Sequence, residues 1–270
     1  PGGADTADSG QVEIACAASD PRALAAALLE ADGHRQAGRG VRLQLQGRYR
    51  LDSPLSLGRP AASAPGGLPP LVVRGPAVLD GGVPVTGWAR DPTRPWLWAA
   101  PVPTALRGSG ITITQLFDGE RRVPPARTPV LHYEQVGALN TTSGMAKSLI
   151  VNATRSTEIP PTFAQPSAVR LFLYHSWDIS FHPLAEVRQL PGGLRELMVG
   201  NLIKTLWGVG AGAPGYRFFL EGAEEFLHEG SGTFAHDLNG SRLLYAPAGG
   251  APGNDVSAPR LVELVRTDGA

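Results

Sequence analysis

The chain has 270 residues, 42% of them apolar, and its 24 basic and 24 acidic side chains balance to no net charge. That length can bury a sizeable core in one or two domains. The charge balance leaves no electrostatic footprint for nucleic acid or an anionic membrane, and no apolar run approaches the roughly 20 residues of a membrane helix. Neither nucleic acid nor membrane insertion is therefore expected. The 34 glycines and 25 prolines interrupt the chain often, which favours many short strands over long helices.

Residues 1–12 are small and polar and read as a disordered lead-in. Asp20-Pro21 then supplies an N-cap and a first helical residue. The helix they open carries Leu24, Leu28 and Leu29 on one face and is expected to close at Gly33. Val41, Leu43 and Leu45 alternate with Arg42, Gln44 and Gln46, the period of two that gives a strand one apolar face. Leu55–Leu57, Leu71–Val73 and Val78-Leu79 follow as short strands between Gly/Pro breaks, so that residues 13–82 form one segment. A helix set before stacked short strands suits the end of a parallel coil, where an apolar cross-section and unpaired backbone must be capped.

The texture changes over residues 83–250. Gly87-Trp88, Trp96–Trp98 and Ile111–Phe117 are aromatic and β-branched, and Pro191-Gly192-Gly193 separates two strands of a hairpin. Val169–Tyr174, Tyr216–Leu220 and Leu243–Tyr245 add further strands, enough for an antiparallel sandwich or barrel. Residues 140–167 read as a long surface loop. Residues 251–270 complete a linker and return to the earlier short-strand pattern.

The most telling stretch is Gln115-Leu116-Phe117-Asp118-Gly119-Glu120-Arg121-Arg122 followed by Pro124-Pro125-Ala126-Arg127-Thr128-Pro129: a strand, a tight Asp-Gly turn and an arginine held between prolines. With Gly47–Leu57, Leu79–Trp88, Trp177–His182, Arg217–Leu227 and Asn239–Pro247, it resembles, in order along the chain, the right-handed parallel β-helix glycoside hydrolases of family 141, which include fucosidases and xylanases. The resemblance implies an all-β fold: a cap helix and the first coils of a right-handed parallel β-helix, with an inserted antiparallel β-sandwich or barrel-like domain. One departure is a turn shortened to Asp118 alone before Gly119. The family's catalytic acids are expected on coils beyond residue 270, so no catalytic residue is assigned here.

Arg127, Arg122, Asp118 and His182 are the candidates for contact with a sugar. A guanidinium on a stiff loop can donate several hydrogen bonds to hydroxyls or a carboxylate, although pairing of Arg127 with Asp118 or Glu120 is the alternative. Trp88, Trp96 and Trp98 could stack on a sugar or sit in the core. Hydrolysis of a glycoside needs two carboxyls about 5 to 9.5 Å apart. Asp178, Glu186, Glu221, Glu224, Glu225, Glu229 and Asp237 read instead as solvated loop acids, with Glu224 and Glu225 opening a short helical turn.

His228-Glu229 and His236-Asp237 lack the spacing of a zinc site, and Gly210-x-Gly212-x-x-Gly215 lacks the strand-to-helix context of a dinucleotide loop. No metal and no cofactor are expected. Three of the five asparagines, Asn140, Asn152 and Asn239, stand in glycosylation sequons, which points to secretion or an extracellular surface. Cys16 is alone and forms no internal disulfide.

Three functional expectations follow: the leading part of a secreted carbohydrate-active protein, a structural or adhesive extracellular module on the same scaffold, or a small lectin-like domain. The partners expected are a glycan or polysaccharide, and the remainder of the β-helix or an assembly partner at the open coil end.

Overall fold

The computed structural model describes residues 11–16, 20–57, 68–108, 112–137, 145–175, 177–203 and 217–267. Strands dominate, with one α-helix and three short 3-10 turns among the described residues. The chain divides into two units, 1–83 with 259–270, and 84–258.

In the first unit the strand Gln11–Cys16 pairs in parallel with Gly40–Leu45, which pairs in parallel with Leu71–Arg74. Two more parallel pairs join Gly47–Arg50 to Ala77–Asp80 and Leu55–Leu57 to Val265–Thr267. The first strand begins at Gln11, inside the expected lead-in, whose residues 1–10 lie outside the described ones. Val41, Leu43 and Leu45 are buried, as their alternation requires.

The helix Pro21–Gln36 starts where expected: the Asp20 carboxylate accepts from the Arg22 N–H at 2.9 Å, and Pro21 occupies the first turn. It does not stop at Gly33. Gly33 costs helix stability only modestly, and the chain turns out at Gly38, whose φ of 79° suits a residue without a Cβ. The buried face is Leu24, Ala27 and Ala31, whereas Leu29 is 74% exposed and lies off it. This face packs with Ile14, Cys16 and Tyr49, and the Tyr49 hydroxyl donates to the Cys16 carbonyl at 2.5 Å.

The second unit is antiparallel and layered. Its main sheet curls into a half-barrel of seven strands, in the order Leu131-His132, Arg217–Glu221, Arg170–Tyr174, Ile179–Leu190, Leu194–Ile203, Ala146–Asn152 and Gln135–Gly137. The Ile179–Leu190 and Leu194–Ile203 strands form the hairpin expected at Pro191–Gly193, with Gly192 and Gly193 at positive φ.

Ala146–Asn152 corrects the reading of 140–167 as a loop: Ala146, Ser148, Leu149, Ile150 and Val151 are buried in the sheet. Ile111 lies outside the described residues, and the strand expected over 111–117 is instead Leu116–Asp118.

A second antiparallel sheet contains Thr233–Asp237, Arg242–Ala246, Trp98–Pro101 and Ala89-Arg90. Its Ala235, Leu244 and Ala246 pack into the core under the half-barrel, with Leu171, Leu173, Phe218 and Leu220. Phe234, Leu243 and Tyr245, on the opposite side, pack with Leu116, Val123 and Val256. Leu243–Ala246 is therefore buried on both faces, which explains its unbroken apolar run.

Candidate functional site

The segment Pro124–Pro129 is fixed by backbone bonds on both sides. The Ala126 N–H donates to the Phe234 carbonyl at 2.7 Å and the Phe234 N–H to the Pro124 carbonyl at 3.1 Å. On the other side the Thr128 N–H donates to the Leu220 carbonyl at 2.9 Å, and the Gly222 N–H to the Ala126 carbonyl at 2.8 Å. Each proline fixes φ and presents no donor that would need a partner. Arg127 is thereby placed directly opposite Glu221 across an antiparallel bridge, on an exposed face.

Strand pairing turns that face into ordered rows. Directly opposed residues of antiparallel strands share a face. One row runs Arg127, Glu221, Arg170, Pro183, and the next Phe219, Phe172, Phe181. Beyond them, Arg217 lies over the Tyr174 ring at 5.0 Å, and Tyr174 faces Ile179. Phe172 and Phe219 stack at 4.7 Å with 2° between their planes, and the Phe181 centroid is 6.1 Å from that of Phe172. Guanidiniums flank the rings: Arg127 lies 5.3 Å from the Phe219 centroid and Arg170 5.4 Å from that of Phe172. Phe181 is 63% exposed and Trp177, in the adjoining turn, 78%.

Glu221 is the only carboxylate in these rows. It is buried, which raises its carboxyl above the ordinary value, and the Arg170, Arg127 and Arg122 charges pull in the opposite direction. Arg170 also hydrogen-bonds it directly. The Arg122 charge acts on it from the hairpin of Leu116–Asp118 and Arg121–Val123, which turns at Gly119, φ 63°.

Of the four sugar-contact candidates, Arg127 lies opposite Glu221, and the Arg127 and Arg122 charges both act on its carboxylate. Asp118 belongs to a different cluster. It accepts from the Tyr245 hydroxyl at 3.0 Å and the Gly253 N–H at 3.3 Å, with Arg121 at 3.7 Å. Burial, with the Asp118 carboxylate second, pushes the Tyr245 hydroxyl up to about 12. His182 is buried and faces the opposite side of the sheet from Phe181, because successive side chains alternate. Its Nδ1 lies 2.8 Å from Asn201 Oδ1 and its Nε2 2.8 Å from Ser180 Oγ.

The reading of Glu221 and Asp237 as solvated loop acids is corrected: both are buried in strands. Asp237 accepts from Arg242, Gln165 and the Gly240 N–H, which together hold its carboxyl low against the cost of burial. Glu224 and Glu225 do open a short 3-10 turn. Trp88 and Trp98 donate to the Val85 and Gly250 carbonyls and lie outside the rows.

The sequence reading missed Arg170, Phe172, Phe181, Phe219 and Trp177 as site residues. Their signal is an aromatic and charged parity, Arg170-x-Phe172-x-Tyr174 and Arg217-x-Phe219-x-Glu221, running beside a wholly apolar one. Asn152 closes a local turn by accepting from the Thr154 N–H and hydroxyl, Asn239 is exposed, and Asn140 lies outside the described residues.

No family model matches the chain, and no curated protein matches it. Among solved structures it is similar to a chain described as a glycoside hydrolase, with a TM-score of 0.71 and 20% identity over 96% of this chain. The chain spans 47% of that protein's length. The likeness is one of fold.

Proposed function

We propose that the chain is part of a secreted, carbohydrate-active protein, and that the rows on the outer face of the half-barrel bind a glycan. The observation that carries this reading is the Phe219, Phe172, Phe181 row set beside Arg127, Glu221 and Arg170. Aromatic faces stack on the apolar faces of sugar rings, and the flanking guanidiniums and carboxylate satisfy their hydroxyls. Arg122 and Arg127 are the donors assigned to the sugar. Asp118 acts indirectly, by holding the hairpin that carries Arg122.

Binding rather than hydrolysis is assigned to this face. A glycosidase needs a second carboxyl across the scissile bond, and Glu221 has none in these rows. Glycan-array binding of the wild-type chain beside Arg127→Ala tests the reading. A glycan retained by the wild type and lost by the variant is expected; equal retention removes Arg127 from the site.

The scaffold proposed is the start of a right-handed parallel β-helix. Its support is the pairing order: Gly40–Leu45, Gly47–Arg50 and Leu55–Leu57 pair in parallel with Leu71–Arg74, Ala77–Asp80 and Val265–Thr267 respectively. Three strands of one turn are thus followed by three of the next, and residues 84–258 enter the chain within that second turn. Catalytic acids, in this reading, belong to further coils.

Val73, Val78 and Val265, one on each strand of the second turn, are 45, 41 and 42% exposed. They favour the second reading, a structural module that stacks on a further coil or an assembly partner. Val73→Asp with Val78→Asp should abolish any self-association seen by light scattering. Secretion is tested by expression through a glycosylating pathway, where an endoglycosidase-sensitive mass at Asn239 is expected.

A further inference from the structure

Beside the aromatic rows, with which it shares Phe181, an open cavity of about 490 Å3 is lined by His175, Asp178, Ser180, His182 and Asn201. Within it a serine lies between two histidines. Ser180 Oγ is 2.7 Å from His175 Nε2 and 2.8 Å from His182 Nε2, and His182 Nδ1 is 2.8 Å from Asn201 Oδ1.

The protons in this chain can be assigned. An amide oxygen only accepts, so His182 Nδ1 carries the proton that Asn201 receives. His182 is 4% exposed, and burial holds its ring neutral, so Nε2 is a bare lone pair. Ser180 therefore donates to His182 Nε2, and its oxygen accepts from the His175 Nε2–H. His175 Nδ1 is buried and has no hydrogen-bond partner among the described residues. A hydroxyl aimed at a neutral imidazole whose tautomer is fixed by a third group is the arrangement of an activated nucleophile.

We propose that Ser180 is a nucleophile toward short-chain carboxylic esters, with His182 as its general base and Asn201 as the residue that orients His182. Ser180 Oγ forms a bond to the ester carbonyl carbon while its proton passes to His182 Nε2. The bond from that carbon to the alkoxy oxygen then breaks, and the proton on Nε2 goes to the departing alcohol. Water attacks the acyl-serine, gives its proton to Nε2, and the serine oxygen leaves with that proton, releasing the carboxylic acid. His175 Nε2–H, directed at Oγ, helps to hold the hydroxyl in place with its proton toward His182. The cavity has room for a short acyl group, and its open side admits the alcohol portion.

The test uses the whole chain with p-nitrophenyl acetate as substrate and a fluorophosphonate as label. Peptide mass spectrometry should find the label on Ser180. Ser180→Ala should lower turnover at least about 100-fold, and Asn201→Ala about tenfold, with the circular-dichroism spectrum unchanged. Ser180→Cys, which conserves size, provides a second folded variant, and it should become acetylated at that position. An unlabelled Ser180 in the folded protein, or hydrolysis by Ser180→Ala at the wild-type rate, would overturn the assignment. Because the Ser180 and His182 side chains point away from Phe172 and Phe181 across the sheet, the Ser180 variants leave the aromatic rows in place, and either outcome leaves the glycan-binding reading standing or falling on its own test.

Discussion

Arg127 and Glu221 face each other across an antiparallel bridge, joining the proline-held segment to the Arg217–Glu221 strand of the half-barrel. Arg170 and Arg122 bring two further positive charges to the same carboxylate, yet its burial still prevails and the carboxyl titrates above its ordinary value. The pair therefore makes the site both rigid and pH-sensitive.

For Glu221 the sign follows from linkage. A carboxyl with a raised folded-state value holds its proton more tightly when native, so this contribution to stability is full below the unfolded value near 4.5. It is lost as pH rises through the folded value. Glu221→Gln should flatten that part of the profile, measured by chemical denaturation from pH 4 to 7. A profile identical to wild type would show that burial at Glu221 is unlinked to folding.

His182 gives the opposite slope. Burial, opposed by the hydrogen bond to Asn201 and reinforced by His175, lowers its folded value below 6.5, so the unfolded ring binds the proton more readily. Stability is then full above pH 6.5 and falls as pH drops toward the folded value. His236, also lowered by burial, has the same sign. His182→Gln should remove part of the fall in melting temperature between pH 7.5 and 5.5, with His236 supplying the remainder.

The Asp118 cluster is structural in this account. Tyr245→Phe removes the hydroxyl that donates to Asp118 and accepts from Arg121. A loss of about 1 to 2 kcal/mol in unfolding free energy is expected, because a buried hydrogen bond to a charged group is lost. Glycan affinity should be unchanged. A large affinity loss without destabilisation would place Asp118 in the binding site itself.

The local signals in the sequence were those that depend on neighbours in the chain. Asp20 and Pro21 mark the helix start, alternation marks Val41 to Leu45, and Pro125 and Pro129 mark the stiffened Arg127. The helix end was obscured because Gly33 can sit within a helix, while the turn that ends it needs the positive φ of Gly38. The Ala146–Asn152 strand was hidden because much of it is buried on both faces, which erases the period of two. Glu221 was unreadable as a site residue for another reason: the charges that act on it come from residues 122, 127 and 170, which only the folded chain brings near it. The Ser180 to Asn201 chain likewise arises only when two strands are set side by side.

Glycan binding by the aromatic rows is the central claim, and isothermal titration of one array-selected oligosaccharide against wild type and Phe181→Ala with Arg127→Ala tests it most directly. Both side chains are exposed, so the double variant should keep the wild-type melting temperature while its affinity falls at least about tenfold, some 1.4 kcal/mol. Unchanged affinity in the folded double variant would contradict the account.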